Sequence, residues 1–137
     1  MVLPSHAPIR GNGFSRHDVA IRFFPDSTTD PSTIYDPNGD VASIVFTSTG
    51  LWTVTLGYPV SRVMAATATL QLATVGVARD VKIGATSTTE NAGTPLVFTV
   101  SVTNSNSGAA VDVAANADNS ISLDLALEVS SAGVVAR

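Results

Sequence analysis

The fold class is decided by the stretch VASIVFTSTGLWTVTL, which runs from Val41 to Leu56. Two runs rich in β-branched and aromatic residues flank Ser48-Thr49-Gly50, and this arrangement predicts two strands joined by a turn. In the second run Trp52, Val54 and Leu56 share one face, because side chains alternate along a strand. The stretch therefore predicts a β-hairpin with Trp52 in the core, where truncation is expected to cost stability.

The same period of two recurs later in the chain. Leu96 to Thr103 and Ile121 to Ser130 alternate apolar with mostly polar residues, so each is expected to have one buried face. The β-prone segment from Val60 to Val75 is long for one strand, so we expect a bend or bulge within it. A short strand is expected over Val77 to Gly84. No helical pattern of about ten residues lies between these runs. The sequence predicts an all-β fold, an antiparallel β-sandwich or jelly-roll-like domain over residues 19–137.

The N-terminal part differs in character. Residues 1–18 contain Pro and Gly and show no regular apolar period, which predicts an extended arm. The run 19–24 is expected to be a short strand that ends at a proline, and residues 25–40 to be a long turn-rich connection. One helical turn is expected over residues 112–117, since an Asp can cap it.

Composition narrows the function classes. The chain has 137 residues, of which 13% are charged, against roughly 25% in a typical soluble domain. A neutral surface suits a protein embedded in an assembly, because each buried charge costs desolvation energy; the alternative is a β protein that is simply rich in Ser and Thr. The net charge of -4 argues against nucleic acid as a partner, and we expect no membrane partner either. The absence of cysteine removes disulfide and thiolate chemistry.

No catalytic pattern is visible, so the sequence predicts a protein that is not an enzyme and has no cofactor. His6 and His17 lie in the N-terminal part without a spacing that aims both at one ion, so we expect no metal site. The segment from Asp36 to Asp40, DPNGD, resembles part of a calcium loop but lacks the Glu that closes the coordination, and Asn-Gly favours a turn. Neither a Gly-x-Ser-x-Gly turn nor a phosphate-binding glycine loop in its proper context occurs.

Two aromatic residues raise the alternative of a carbohydrate platform, since sugars stack on exposed rings. Trp52 is in phase with Val54 and Leu56, which favours burial. Tyr58 comes just before Pro59 at the end of the strand. We expect Tyr58 and Pro59 to be available for an intersubunit contact.

The stretch VASIVFTSTGLWTVTLGYPV, the long β segment after it and the final SISLDLALEVS resemble small structural proteins of tailed-bacteriophage virions. The resemblance covers residues 41–131 and rests on a turn of the type Thr-Gly-Leu/Val-aromatic-Thr-Val-Thr-Leu and a closing Asn-x-Ile/Val-Ser-Leu/Val-x-Leu-x-Leu strand. Capsid decoration (cement) proteins are the most similar, and similar modules occur in tail fibres and spikes. The resemblance implies a virion protein, made in the host cytoplasm, that binds the major capsid protein on the capsid exterior as a homotrimer and stabilises capsomer contacts.

With this resemblance, the arm is expected to contact the shell, its cations facing acidic surfaces and its apolar residues acting as anchors. The expected contact residues are Leu3, Ile9, Arg10, Phe14, Arg16 and Arg22. The alternative function is a tail-fibre or spike tip that binds a host receptor through the loops at 25–40, 85–95 or 104–119. A non-viral β-sandwich adhesion module is the third. The resemblance brings no catalytic or ligand site with it.

Overall fold

Eight β-strands and no helix make up the part of the chain that the computed structural model describes, residues 14–84 and 94–130. The strands are β1 (Phe14–Asp26), β2 (Thr29–Tyr35), β3 (Val41–Ser48), β4 (Leu51–Pro59), β5 (Arg62–Gln71), β6 (Arg79–Ile83), β7 (Pro95–Asn104) and β8 (Ser120–Ser130). They form two antiparallel sheets, sheet A with the order β2-β1-β8-β5 and sheet B with the order β3-β4-β7-β6. The predicted all-β antiparallel fold is confirmed. In these ranges no helix of a length and hydropathy that could cross a membrane is found.

The two sheets pack face to face on one apolar core, as in a β-sandwich. Trp52 of sheet B has no exposed surface and packs edge to face against Phe23 of sheet A, with ring centroids 5.9 Å apart. Its second aromatic neighbour is Phe46, at 6.3 Å. The predicted burial of Trp52 is therefore confirmed, and its ring joins the two layers.

The connections between strands are of two kinds. The pairs β1–β2, β3–β4 and β6–β7 are neighbours within one sheet, whereas β2 to β3, β4 to β5, β5 to β6 and β7 to β8 pass between the sheets. This order does not confirm a jelly roll. It leaves β2, β5, β3 and β6 as the edge strands of the described sandwich.

The hairpin predicted from Val41 to Leu56 forms as β3 and β4, with Thr49 and Gly50 in the turn. Gly50 has a φ of 63°, and a Cβ added to it would lie 2.6 Å from the carbonyl oxygens of both Val102 and Val111. Only glycine fits this conformation at such a close approach. The bulge expected in the long β segment is also present, between Val63 and Ala65.

The N-terminal boundary was predicted wrongly in part. β1 begins at Phe14 and not at Val19, and residues 14–18 pair with Ser130 to Ala126 of β8. The ladder to β8 orders these residues although their own apolar period is weak. Residues 1–13 lie outside the described residues, so the arm remains a prediction for them.

Three further expectations are corrected. β1 continues through Pro25 to Asp26 with an irregularity in its pairing, and the predicted connection 25–40 contains β2. An edge strand tolerates Pro31 because only one side of it is hydrogen-bonded. Residues 112–117 form no helical turn: Val113 is buried in the core, and the carboxylate of Asp112 accepts a hydrogen bond from the backbone N–H of Gly50.

Candidate functional site

A polar cluster centred on Asp40 brings together side chains that are distant in the sequence. Asp40 is 4% exposed, and its Oδ1 accepts hydrogen bonds from Nε2 of His17 and from the hydroxyl of Tyr58, each at 2.8 Å. The rings of His17 and Tyr58 also meet edge to face, with centroids 5.7 Å apart. Three segments are joined in this way: β1, the β2–β3 connection and β4.

The turn from Asp36 to Asp40 places the carboxylate. The carbonyl of Asp36 accepts from the N–H of Gly39, and its carboxylate oxygens accept from the N–H groups of Asp40 and Val41, at 3.0 and 2.7 Å. Gly39 adopts a φ of 70°, which glycine takes without a Cβ penalty. The turn predicted from the Asn-Gly pair is confirmed, but nothing in the sequence showed that Asp40 would be buried beside residues from two other strands.

The electrostatics of the cluster keep Tyr58 protonated. Burial, the hydrogen bond to Asp40 and the charges of Asp40 and Asp36 all raise the pKa of the Tyr58 phenol well above its usual value of 10.0. The other carboxylate oxygen of Asp40, Oδ2, is buried and has no hydrogen-bond partner. The Tyr58 hydroxyl and the buried Asp40 carboxylate thus link β4 to the β2–β3 connection.

The structure describes some of the predicted capsid-contact residues and not others. Arg16 and Arg22 lie on the outer face of sheet A, where Arg16 pairs with Asp18 at 2.9 Å and Arg22 donates to Ser120 and Gln71. Phe14 opens β1, and Leu3, Ile9 and Arg10 lie outside the described residues. Arg16 and Arg22 therefore lie on one sheet face, at separate positions along β1, and each already has side-chain partners.

The second expected contact, Tyr58 with Pro59, is only partly available. Tyr58 is half-buried with its hydroxyl directed to Asp40, whereas Pro59 is exposed at the end of β4. The intersubunit role of these two residues remains a prediction.

The outer faces of the two sheets differ in charge. That of sheet A carries charged side chains on β1 and β8, among them Arg16 opposite Glu128 and Asp124 opposite Ala20. That of sheet B carries only uncharged side chains on β3, β4 and β7. We call its hydroxyl-bearing residues the hydroxyl face: Ser43, Thr47, Thr53, Thr55, Thr99, Ser101 and Thr103.

The geometry of the hydroxyl face follows from the pairing register. Thr53 lies between Val45 and Thr99 across the sheet, and its Oγ1 is 2.6 Å from that of Thr47. On the same face, the charged residues Asp80 and Lys82 are confined to edge strand β6. The alternation of Thr53, Val54 and Thr55 was the sequence signal for this face, but the sequence did not show which strands lie beside it.

The three loops considered for a receptor-binding tip differ in structure and in whether the structure describes them. Part of 25–40 is β2, and residues 85–93 lie outside the described part of the chain. The turn after β7 is exposed, and the side chain of Asn104 holds it by accepting from the N–H groups of Asn106 and Ser107.

Two open depressions lie on the described surface. One of about 400 Å³ lies on the outer face of sheet A near Asp18, Asn38 and Thr67, and another of about 400 Å³ lies between Phe24, Ser32 and Asn116. Within 14–84 and 94–130, no group of three or more His, Asp or Glu side chains is arranged to hold a metal ion.

Comparison of the chain with protein-family models, with curated proteins and with solved structures found no match.

Proposed function

We propose that this chain is a structural protein of a tailed-bacteriophage virion, a capsid decoration protein that binds the major capsid protein as a homotrimer and stabilises contacts between capsomers. The resemblance of residues 41–131 to such proteins supports this function. The proposal includes no catalysis and no cofactor.

The observation that carries the proposal is the hydroxyl face. Side chains without charge on β3, β4 and β7 lose less hydration energy than charged ones when a large partner covers them, whereas an unpaired charge in the contact would be costly. Each Ser and Thr hydroxyl can donate and accept, so the face can satisfy either kind of polar group on a partner. We assign the hydroxyl face to the shell and the charged face of sheet A to solvent.

The arm is a second part of the contact in this proposal. Leu3, Ile9 and Arg10 would reach the shell from beyond β1, but Arg16 and Arg22 lie on the opposite side of the sandwich from the hydroxyl face. The two cations can therefore take part only if the arm contacts a neighbouring capsomer.

Copy number in the virion tests the function. A decoration protein should approach the major capsid protein in abundance on gels of purified virions, whereas a few dozen copies per particle would support the tail-fibre or spike alternative instead.

Binding to empty shells tests the surface. The double variant Thr47→Arg/Thr55→Arg places two charges on the hydroxyl face and should lose co-sedimentation with shells that lack the protein. The matched control Ala20→Arg/Ala126→Arg places two charges on the outer face of sheet A and should bind as the wild type does. Equal binding by both variants would contradict the assignment of the hydroxyl face.

A further inference from the structure

Three of the four edge strands in the described sandwich carry features that prevent strand addition. An exposed edge is a template for pairing with another chain, and charges, prolines, bulges and short length block it. β2 contains Asp30 and Pro31. The carboxylate of Asp30 also occupies the N–H of Phe46 on the neighbouring edge β3, at 2.8 Å, and β3 has irregular pairing near both ends.

The remaining two edges lie on the other side of the sandwich and contrast sharply. β6 is 5 residues long and carries Arg79, Asp80 and Lys82. β5 is 10 residues long, and its only charge is at its first residue, Arg62. Its bulge lies near the same end, between Val63 and Ala65, so the stretch from Ala65 to Gln71 is regular. No charge follows along the chain until Arg79.

The free edge of β5 also has exposed apolar surface on it. Among the described residues the β5 strand pairs only with β8, so its other backbone edge has no strand partner there. Met64 at the bulge is 57% exposed, and Ala65, Ala66 and Thr67 after it are exposed as well. Such an edge needs a partner strand that is extended, uncharged and lined by small side chains.

We propose that β5 pairs antiparallel with β5 of a second copy of this chain, joining two sheets A into one continuous eight-stranded sheet. The strand is complementary to itself: centred on Thr67, the pairing sets Ala65 opposite Thr69 and Ala66 opposite Ala68, with no like charges in contact. The whole chain carries a net charge of -4, so a neutral strip lets two copies approach with little repulsion.

This contact goes beyond the proposed function and does not depend on it. Pairing of β5 with itself uses the same surface on both copies and closes a twofold, whereas a trimer needs two different surfaces to meet. It is therefore a separate contact, which joins single chains or trimers in pairs.

The test is the mass in solution of the full-length chain and of Thr67→Lys/Thr69→Lys. The wild type should have an even multiple of the chain mass of 14.0 kDa, and the lysine variant should have half the wild-type mass, because its lysines meet across the twofold. Added salt should screen the lysines and restore the larger mass. Light scattering after size exclusion gives the masses, and circular dichroism checks that the variant remains folded.

The matched control is Ser43→Lys/Val45→Lys, which sets two lysines at the same spacing on edge strand β3 and should keep the wild-type mass. A monomeric wild type would overturn the proposal, as would a lysine variant whose mass is unchanged. A wild-type trimer insensitive to the lysines at 67 and 69 would overturn it too, while leaving capsid decoration intact. If the lysine variant is unfolded, Thr67→Glu/Thr69→Glu replaces it with the same expected halving.

Discussion

The hydroxyl of Tyr58 donates a 2.8 Å hydrogen bond to Oδ1 of Asp40, a carboxylate that is 4% exposed. The same oxygen accepts from His17, while Oδ2 has no partner. A buried carboxylate with so few donors depends on each of them, because an unsatisfied charged group keeps its full desolvation cost. The link between β4 and the β2–β3 connection is thus a weak point of the fold if either partner changes.

Removal of the Tyr58 hydroxyl should destabilise the protein. Tyr58→Phe leaves Asp40 with His17 as its one side-chain donor, and hydrogen bonds to charged groups contribute about 1.5 to 3 kcal/mol. Urea denaturation should show a free energy of unfolding lower by about that amount. Tyr35→Phe is the matched control, since Tyr35 is 63% exposed, and it should unfold as the wild type does. Equal stability of the two variants would show that the hydrogen bond contributes nothing.

Alkaline pH should reveal the same linkage. Because the pKa of Tyr58 is raised in the folded protein above the value of 10.0 expected in the unfolded chain, the folded state holds the phenolic proton more tightly. The resulting stability is complete below pH 10.0 and is lost as the pH rises above that value towards the folded pKa.

The measurement is ultraviolet absorbance of tyrosinate in Tyr35→Phe, where Tyr58 is the one tyrosine left of the two in the sequence. In the folded protein we expect no tyrosinate at pH values at which the tyrosine of an unfolded chain is already ionised. Tyr58 should ionise only when the protein unfolds. Tyrosinate that forms reversibly near pH 10.0 with the far-ultraviolet circular dichroism intact would contradict the raised pKa.

The sequence predicted those parts of the molecule that local pattern controls. Trp52 and its hairpin follow from side-chain alternation, and the turn at Asp36 follows from Asn-Gly, because each involves residues close in the chain. Residues 14–18 become a strand only through their ladder to β8, more than a hundred residues away, so their own sequence could not show it. The burial of Asp40 and the open edge of β5 likewise depend on which strands become neighbours.

Gly50 should be the least replaceable glycine that the structure describes. In Gly50→Ala the new methyl group would lie 2.6 Å from two backbone carbonyl oxygens, and the residue would keep a φ of 63° that disfavours a Cβ. Gly76→Ala is the matched control, because Gly76 has a similar φ of 79° with nothing within 4 Å of the added atom. We expect a loss of about 1 kcal/mol for Gly76→Ala from the backbone conformation, and a loss at least about 2 kcal/mol greater for Gly50→Ala, since backbone atoms must shift. Similar melting temperatures for the two variants would contradict the close packing of the β3–β4 turn.

Burial of Trp52 gains packing energy but leaves one polar atom of the side chain without a hydrogen bond. Its ring is fully buried between Phe23 and Phe46, but its indole Nε1 has no hydrogen-bond partner. Trp52→Ala should cost about 3 to 5 kcal/mol through the cavity left between the sheets. Trp52→Phe should cost less than half of that, because it keeps an aromatic contact with Phe23 and removes a buried donor whose desolvation costs about 1 to 3 kcal/mol.

Circular dichroism during denaturation is the suitable measurement, since Trp52 is the chain's one tryptophan and both variants lose its fluorescence. Val45→Ala, at a residue that is 42% exposed on the outer face, serves as the control and should change the free energy of unfolding by no more than about 0.5 kcal/mol. If Trp52→Phe is as unstable as Trp52→Ala, the prediction is wrong, and the indole ring makes a stabilising contact that phenylalanine cannot replace. If Trp52→Ala is as stable as the control, the ring does not join the two sheets.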